Sequence, residues 1–139
     1  MAIIGGAGNP VGGSFTGPAL ALEYLGDHCY AYSGVISIDN STTTMLDFTT
    51  GSNYALVDLT IHQGTGANAS NDYLFALSLN GVNIMTDRTD DGKQDYSNSP
   101  FRLVLAPYTE VKLTAANLSG SDSNDKSAIM TGRVYRTRD

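Results

Sequence analysis

The stretch "YALVDLTIH" (Tyr54 to His62) places Ala55, Val57, Leu59 and Ile61 at one parity and Leu56, Asp58, Thr60 and His62 at the other. Only an extended strand sends successive side chains to opposite faces, so this alternation specifies a strand with one apolar face and one mixed face. The same period recurs from Tyr30 onward, bounded by clusters of Gly, Pro, Asn, Asp and Ser. It predicts strands at Tyr30 to Ile38, Thr43 to Phe48, Tyr54 to His62, Tyr73 to Leu79, Val82 to Thr86, Phe101 to Ala106, Thr109 to Leu118 and Ala128 to Arg136. No sustained helical period follows residue 30. "PALALEYLG" (18 to 26) fits two turns of helix, with Pro first and Gly last, as well as it fits a further strand.

The turns between these strands are unequal. Asn80-Gly81 suits a type I′ hairpin turn, which requires positive φ at both central residues. Pro107 cannot donate to a ladder, so "APY" at 106 to 108 forces a tight bend. Gln63 to Asp72, Asp87 to Pro100 and Ser119 to Ser127 are long. If successive strands run antiparallel, alternate connections share an end, and the long ones gather at one pole. Eight such strands suit an all-β, eight-stranded antiparallel jelly-roll sandwich. Its core takes Ala55, Val57, Leu59 and Ile61; Tyr73, Phe75, Leu77 and Leu79; Phe101, Leu103 and Leu105; and Val111, Leu113 and Ala115. An immunoglobulin-like sandwich is the rival, but the chain has no Trp and no Cys pair.

The chain's 139 residues fit one domain, at 19–139, preceded by an arm at 1–18. The arm, "MAIIGGAGNPVGGSFTGP", holds six of the 15 glycines. It has no Lys or Arg for a Walker-type phosphate loop, and Gly6, Gly8 and Gly12 miss the dinucleotide spacing. Ile3, Ile4, Val11 and Phe15 stand along it as isolated apolar anchors. An uncharged strip of this kind is either a free tail or an arm that orders on a partner.

A net charge of −6 argues against nucleic acid as a partner, since phosphate binding needs clustered Lys and Arg. No apolar run approaches membrane-spanning length, so no membrane partner is expected. The single cysteine, Cys29, forms no internal disulfide and reads as a small hydrophobe. The long-loop pole collects Asp39, Asp72, Asp87, Asp90, Asp91, Asp95, Asp122 and Asp125. Asp87, Thr89, Asp91, Gly92 and Asp95 match the first, third, fifth, sixth and ninth positions of a calcium loop. The twelfth position is Asn98 where a bidentate Glu belongs, and the flanks are strands, so the stretch reads instead as a solvated charged tip.

Catalysis finds little support. His28 and His62 lack partner motifs, no G-x-S-x-G elbow is present, and no His/Cys cluster has zinc spacing. No catalytic residue, metal or cofactor is expected. Tyr24, Tyr30, Tyr32, Tyr54 and Tyr108 offer aromatic faces for a sugar platform, although tyrosine is also a common strand residue with one wet end.

In organisation, the Gly-rich arm followed by "YAYSGVISI", "SPFRLVLAPYTEVKLTAANL" and "TGRVYR", with no disulfide, resembles a capsid decoration, or cement, protein of a tailed bacteriophage. The resemblance covers the whole chain and implies a non-enzymatic virion structural protein, assembled in the host cytoplasm and placed on the capsid exterior. It implies a homotrimer that clamps the major capsid protein. A receptor- or carbohydrate-binding tip of a virion fibre is the alternative, and a small hydrolase the third reading.

Overall fold

A computed structural model describes residues 21–63, 72–89, 100–120 and 123–138. Nine strands lie within them: β1 (Ala21–Tyr32), β2 (Ile36–Ile38), β3 (Thr43–Thr49), β4 (Tyr54–Gln63), β5 (Tyr73–Leu79), β6 (Val82–Thr89), β7 (Phe101–Leu105), β8 (Glu110–Asn117) and β9 (Asn124–Arg138). One antiparallel sheet has the order β1-β9-β4-β7, with β2 also on β9, and the other has the order β3-β8-β5-β6. Of the successive connections from β2 onward, only the β5–β6 hairpin stays within one sheet; the others cross between sheets, giving the jelly-roll order.

The strand predicted at Tyr30 to Ile38 is two strands, which accounts for nine segments where eight were expected. Gly34 adopts φ 71°, and Ser33 caps the break by donating its N–H to the Ala128 carbonyl at 3.0 Å and accepting the Ala128 N–H on Oγ at 2.8 Å. The chain then rejoins β9 at Ile36. The ambiguous stretch before it is strand from Ala21 onward, paired Ala21 to Arg138 through Tyr24 to Tyr135. Residues 1–20, and with them Ile3, Ile4, Val11 and Phe15, lie outside the described residues.

Apolar residues of alternating parity meet between the sheets as the period requires. Val57, Leu59, Phe75, Leu77, Leu105, Val111, Leu113 and Met130 are buried, with Ile61, Leu79 and Leu103 packed against them. Phe101, expected in the core, is 37% exposed at the start of edge strand β7. Met45 and Leu46 are both buried despite being adjacent. A bulge explains this: Thr44 pairs with Thr114 and Leu46 with Leu113, so Met45 is the extra residue and both side chains turn inward.

The two poles differ as the loop lengths predict. At one, the Asn117 N–H donates to the Asp39 carbonyl and the Leu118 N–H to the Asp72 carbonyl, both at 2.7 Å, while Arg88 pairs with Asp72. At the other, the Tyr108 N–H reaches the Gly51 carbonyl at 3.0 Å, and the Asn80 N–H reaches the Glu110 carbonyl at 2.9 Å. Asn80 and Gly81, at φ 51° and 79°, form the hairpin turn expected of their sequence. Because Ala21 pairs with Arg138 beyond the Tyr54–Tyr135 level, the described chain begins and ends at this short-turn pole.

Candidate functional site

The outer face of the larger sheet gathers side chains that can bind. Ala31 packs inward on the core, so Tyr30 and Tyr32 on either side of it point outward; they remain 64% and 60% exposed. Their rings stack with centroids 5.1 Å apart and planes inclined by 24°. Tyr30 pairs with Thr131 of β9, Thr131 with Asp58 of β4, and Asp58 with Arg102 of β7. Directly paired residues share a face, so one row across four strands reads Tyr30, Thr131, Asp58, Arg102.

Arg102 and Asp58 form a fork. Nε donates to Oδ1 at 2.8 Å and Nη2 to Oδ2 at 3.1 Å. These hydrogen bonds, with the guanidinium charge, hold the Asp58 carboxyl below the ordinary carboxylate range and raise Arg102. Leu56, Asp58, Arg102, Thr131, Gly132 and Arg133 line a shallow depression of about 400 Å³ around the fork. Gly132 leaves no room for a side chain: a Cβ there would lie 1.9 Å from the Leu56 carbonyl oxygen.

A second cleft, of about 290 Å³, opens near the short-turn pole and is lined by Tyr30, Phe48, Thr50, Gly51, Asn53, Tyr54, Ala55 and Val134. The five tyrosines named from sequence therefore do not form one platform. Tyr24 packs edge-on against Tyr135 at 5.9 Å, Tyr54 lines the second cleft, and Tyr108 stands 71% exposed on the short-turn pole at φ 56°. Tyr30 and Tyr32 alone among them stack on each other beside a charged fork.

At the long-loop pole, Asp87 and Thr89 belong to β6, which extends past its predicted end at Thr86 because pairing with β5 continues to Tyr73. Asp125 belongs to β9. Asp91 and Asp95 lie outside the described residues. Among the described residues, no group of three His, Cys, Asp or Glu side chains could hold a metal ion. Asp39 is held below the ordinary carboxylate range chiefly by hydrogen bonds from the Ser41 hydroxyl and N–H. His62, the penultimate residue of β4, is exposed on the outer face and paired with Ser127; the side chains of His28 and Cys29 lie outside the described set.

Sequence reasoning missed Lys126. It stands at an inward position of β9, only 2% exposed, with its ammonium 4.3 Å from the centre of the Tyr73 ring. Burial pushes its pKa down. The Tyr73 hydroxyl in turn accepts a hydrogen bond from Asn124 Nδ2 at 2.5 Å. Asp58, Arg102 and Thr131 were also missed as a group, because parity shows that each faces outward but not that they are neighbours.

No family model matches the chain, and no curated protein matches it. Among solved structures it is similar to the infectious bursal disease virus VP2 subviral particle, with 15% identity, a TM-score of 0.44 and coverage of 80% of this chain. The chain spans 34% of that structure's length.

Proposed function

We propose that the chain is a non-enzymatic virion structural protein that decorates a capsid shell from outside, binding the major capsid protein as a trimer through an N-terminal arm and the short-turn pole. Residues 1–18 are the arm in this reading and 19–139 the domain. The observation that carries it is Tyr108. It follows Pro107 at the turn position where glycine is the relaxed choice, and its φ of 56° is uncommon for so bulky a residue. A left-handed conformation costs a residue with a Cβ about 1–2 kcal/mol. Strain kept at an exposed tip points to what the ring contacts rather than to the fold.

The surroundings support the same reading. Val82, 64% exposed, opens the β6 side of the neighbouring hairpin. Exposed Leu25 sits at the register shift between Tyr24 and Gly26, near the start of β1. The chain before Ala21 joins at this same end, so the anchors Ile3, Ile4, Val11 and Phe15 can extend a contact begun by the pole. Each buried anchor contributes about 1.5–3 kcal/mol before ordering entropy is subtracted, and three copies per trimer multiply the effect.

Two variants test this by co-sedimentation with shells of the encoding virus. Removing residues 1–17 leaves the melting temperature nearly unchanged and sharply weakens attachment. Tyr108→Gly relieves the strained turn, so the isolated protein is as stable or more stable, while attachment weakens. Undiminished binding by both variants refutes the proposal, as does unfolding of the truncated chain. Sedimentation equilibrium of the full chain reads the trimer directly.

A further inference from the structure

The outer face of the larger sheet lies to the side of the pole assigned to the shell, and its chemistry is different. Tyrosine has an apolar ring and a polar tip, and where the ring is covered by its neighbours only the hydroxyl stays wet. Tyr30 and Tyr32 instead stack on each other and stay mostly exposed. Since Tyr32 covers one side of the Tyr30 ring, the other side faces the opposite way along β1, toward the level of Arg133 and the cleft that Tyr30 itself lines.

Adjacent strands lie about 4.8 Å apart, so Tyr30 and Asp58, separated by β9, are roughly 10 Å apart. That is about the span of two pyranose rings. We propose that this row is a binding site for a short neutral glycan, one pyranose stacking its C–H face on Tyr30 and the next placing vicinal hydroxyls on the Asp58–Arg102 fork and Thr131.

The fork has the right valence for a diol. A carboxylate only accepts hydrogen bonds and a guanidinium only donates them, whereas a sugar hydroxyl does both. Neighbouring hydroxyls can therefore donate to Asp58 and accept from Arg102 at once. The ion pair is already formed at 2.8 and 3.1 Å, so its geometry is set before a ligand arrives. Its side chains nonetheless remain partly open, Arg102 at 68% and Asp58 at 33% exposure.

The Asp58 charge disfavours an anion held end-on by Arg102, and the acidic arm of the test below reads whether Arg133, which lines the same depression, reverses this. A phosphate or carboxylate drawn by Arg102 would meet the Asp58 carboxylate beside it, and the two anions would repel. Polyols carry no such penalty. Thr131, between the aromatic pair and the fork, adds a hydroxyl that can serve as donor or acceptor.

The test is an array of defined neutral and acidic di- to tetrasaccharides probed with the full chain, followed by NMR titration of the neutral glycan bound best. The expected result is retention of neutral glycans, with affinity reduced about tenfold or more, or about 1.4 kcal/mol, by Tyr30→Ala and by Asp58→Asn. Tyr30→Phe, which keeps the ring, retains most of the binding. Tyr108→Ala leaves glycan affinity unchanged, and Asp58→Asn leaves shell attachment unchanged, so the two sites fail separately. Retention of acidic glycans alone, binding that survives Tyr30→Ala, or no retention of any glycan overturns the proposal.

Discussion

Gly132→Ala is the substitution whose effect follows most directly from the structure. Gly132 is on β9 opposite Val57 of β4, with Cys29 of β1 on its other side. A Cβ there meets the Leu56 carbonyl oxygen at 1.9 Å and Val57 Cα at 2.7 Å, both backbone atoms, whereas real Cβ contacts stay beyond 3.0 Å. The oxygen must therefore withdraw by 3.0 minus 1.9, or about 1.1 Å, and no side-chain rotation can supply that movement. β4 and β9 have to part near the middle of their register, where Val57 and Leu59 are buried at 1% and 2% exposure.

Losing two ladder hydrogen bonds there costs about 1 kcal/mol each, with about 1–3 kcal/mol more for each group left buried and unsatisfied. An expected loss of roughly 4 kcal/mol is a large part of the ~5–15 kcal/mol total of a domain this size. Urea unfolding followed by far-ultraviolet circular dichroism reads it as a lower midpoint at unchanged slope. Gly120→Ala, where a Cβ meets nothing within 4 Å, is the control and shifts stability by less than about 0.5 kcal/mol. A Gly132→Ala protein within about 1 kcal/mol of wild type refutes the close approach of the two backbones.

Other substitutions probe the core and its charges. Leu59→Ala removes a buried side chain and costs about 2–5 kcal/mol, while Thr60→Ala beside it, facing outward, costs less than about 1 kcal/mol; reversed magnitudes in urea unfolding contradict the register. Lys126→Met replaces a buried ammonium, trading several kcal/mol of desolvation against a cation–π contact of up to about 2 kcal/mol, so it stabilises by about 1–3 kcal/mol at neutral pH. Because burial lowers the Lys126 pKa in the folded state, the unfolded chain binds more protons at alkaline pH. The Lys126 contribution to wild-type stability therefore rises as pH climbs from the folded pKa toward the ordinary lysine value, and this contribution is absent in Lys126→Met; equal midpoint-versus-pH curves would exclude it. Asp58 titrates by carboxyl NMR below the ordinary value of 3.8, and Arg102→Ala returns it toward that value. The pair's small stabilisation is present above the ordinary Asp58 value and is lost as pH falls through the lowered one.

The candidate site was legible in pieces. The outward position of Asp58 follows from the alternation of "YALVDLTIH", and Tyr30 and Tyr32 were already among the aromatic candidates. Their relation was not legible: Asp58 and Arg102 are 44 residues apart, and parity indicates a face without indicating the neighbour on it. Tyr108 read both as a turn residue at 106 to 108 and as a member of a platform, and the sandwich separated it from the Tyr30–Tyr32 pair and gave it a positive φ.

What the sequence by itself determined is what short-range sterics control. Alternation sets which side chains share a face, and the turn chemistry of Asn80-Gly81 and Pro107 sets where the chain reverses; unequal connection lengths separate the poles. Apart from the β5–β6 hairpin, the tertiary structure alone decided which strands pair. β9 between β1 and β4 makes residues 21–26 a strand although their pattern also suits a helix, because a long paired neighbour supplies hydrogen bonds that local preference cannot. It also decided the exceptions to parity and polarity. Met45 turns inward through a bulge, and Lys126 is buried over Tyr73, since the space between two sheets is shaped by every strand lining it, whereas a local pattern records only its own.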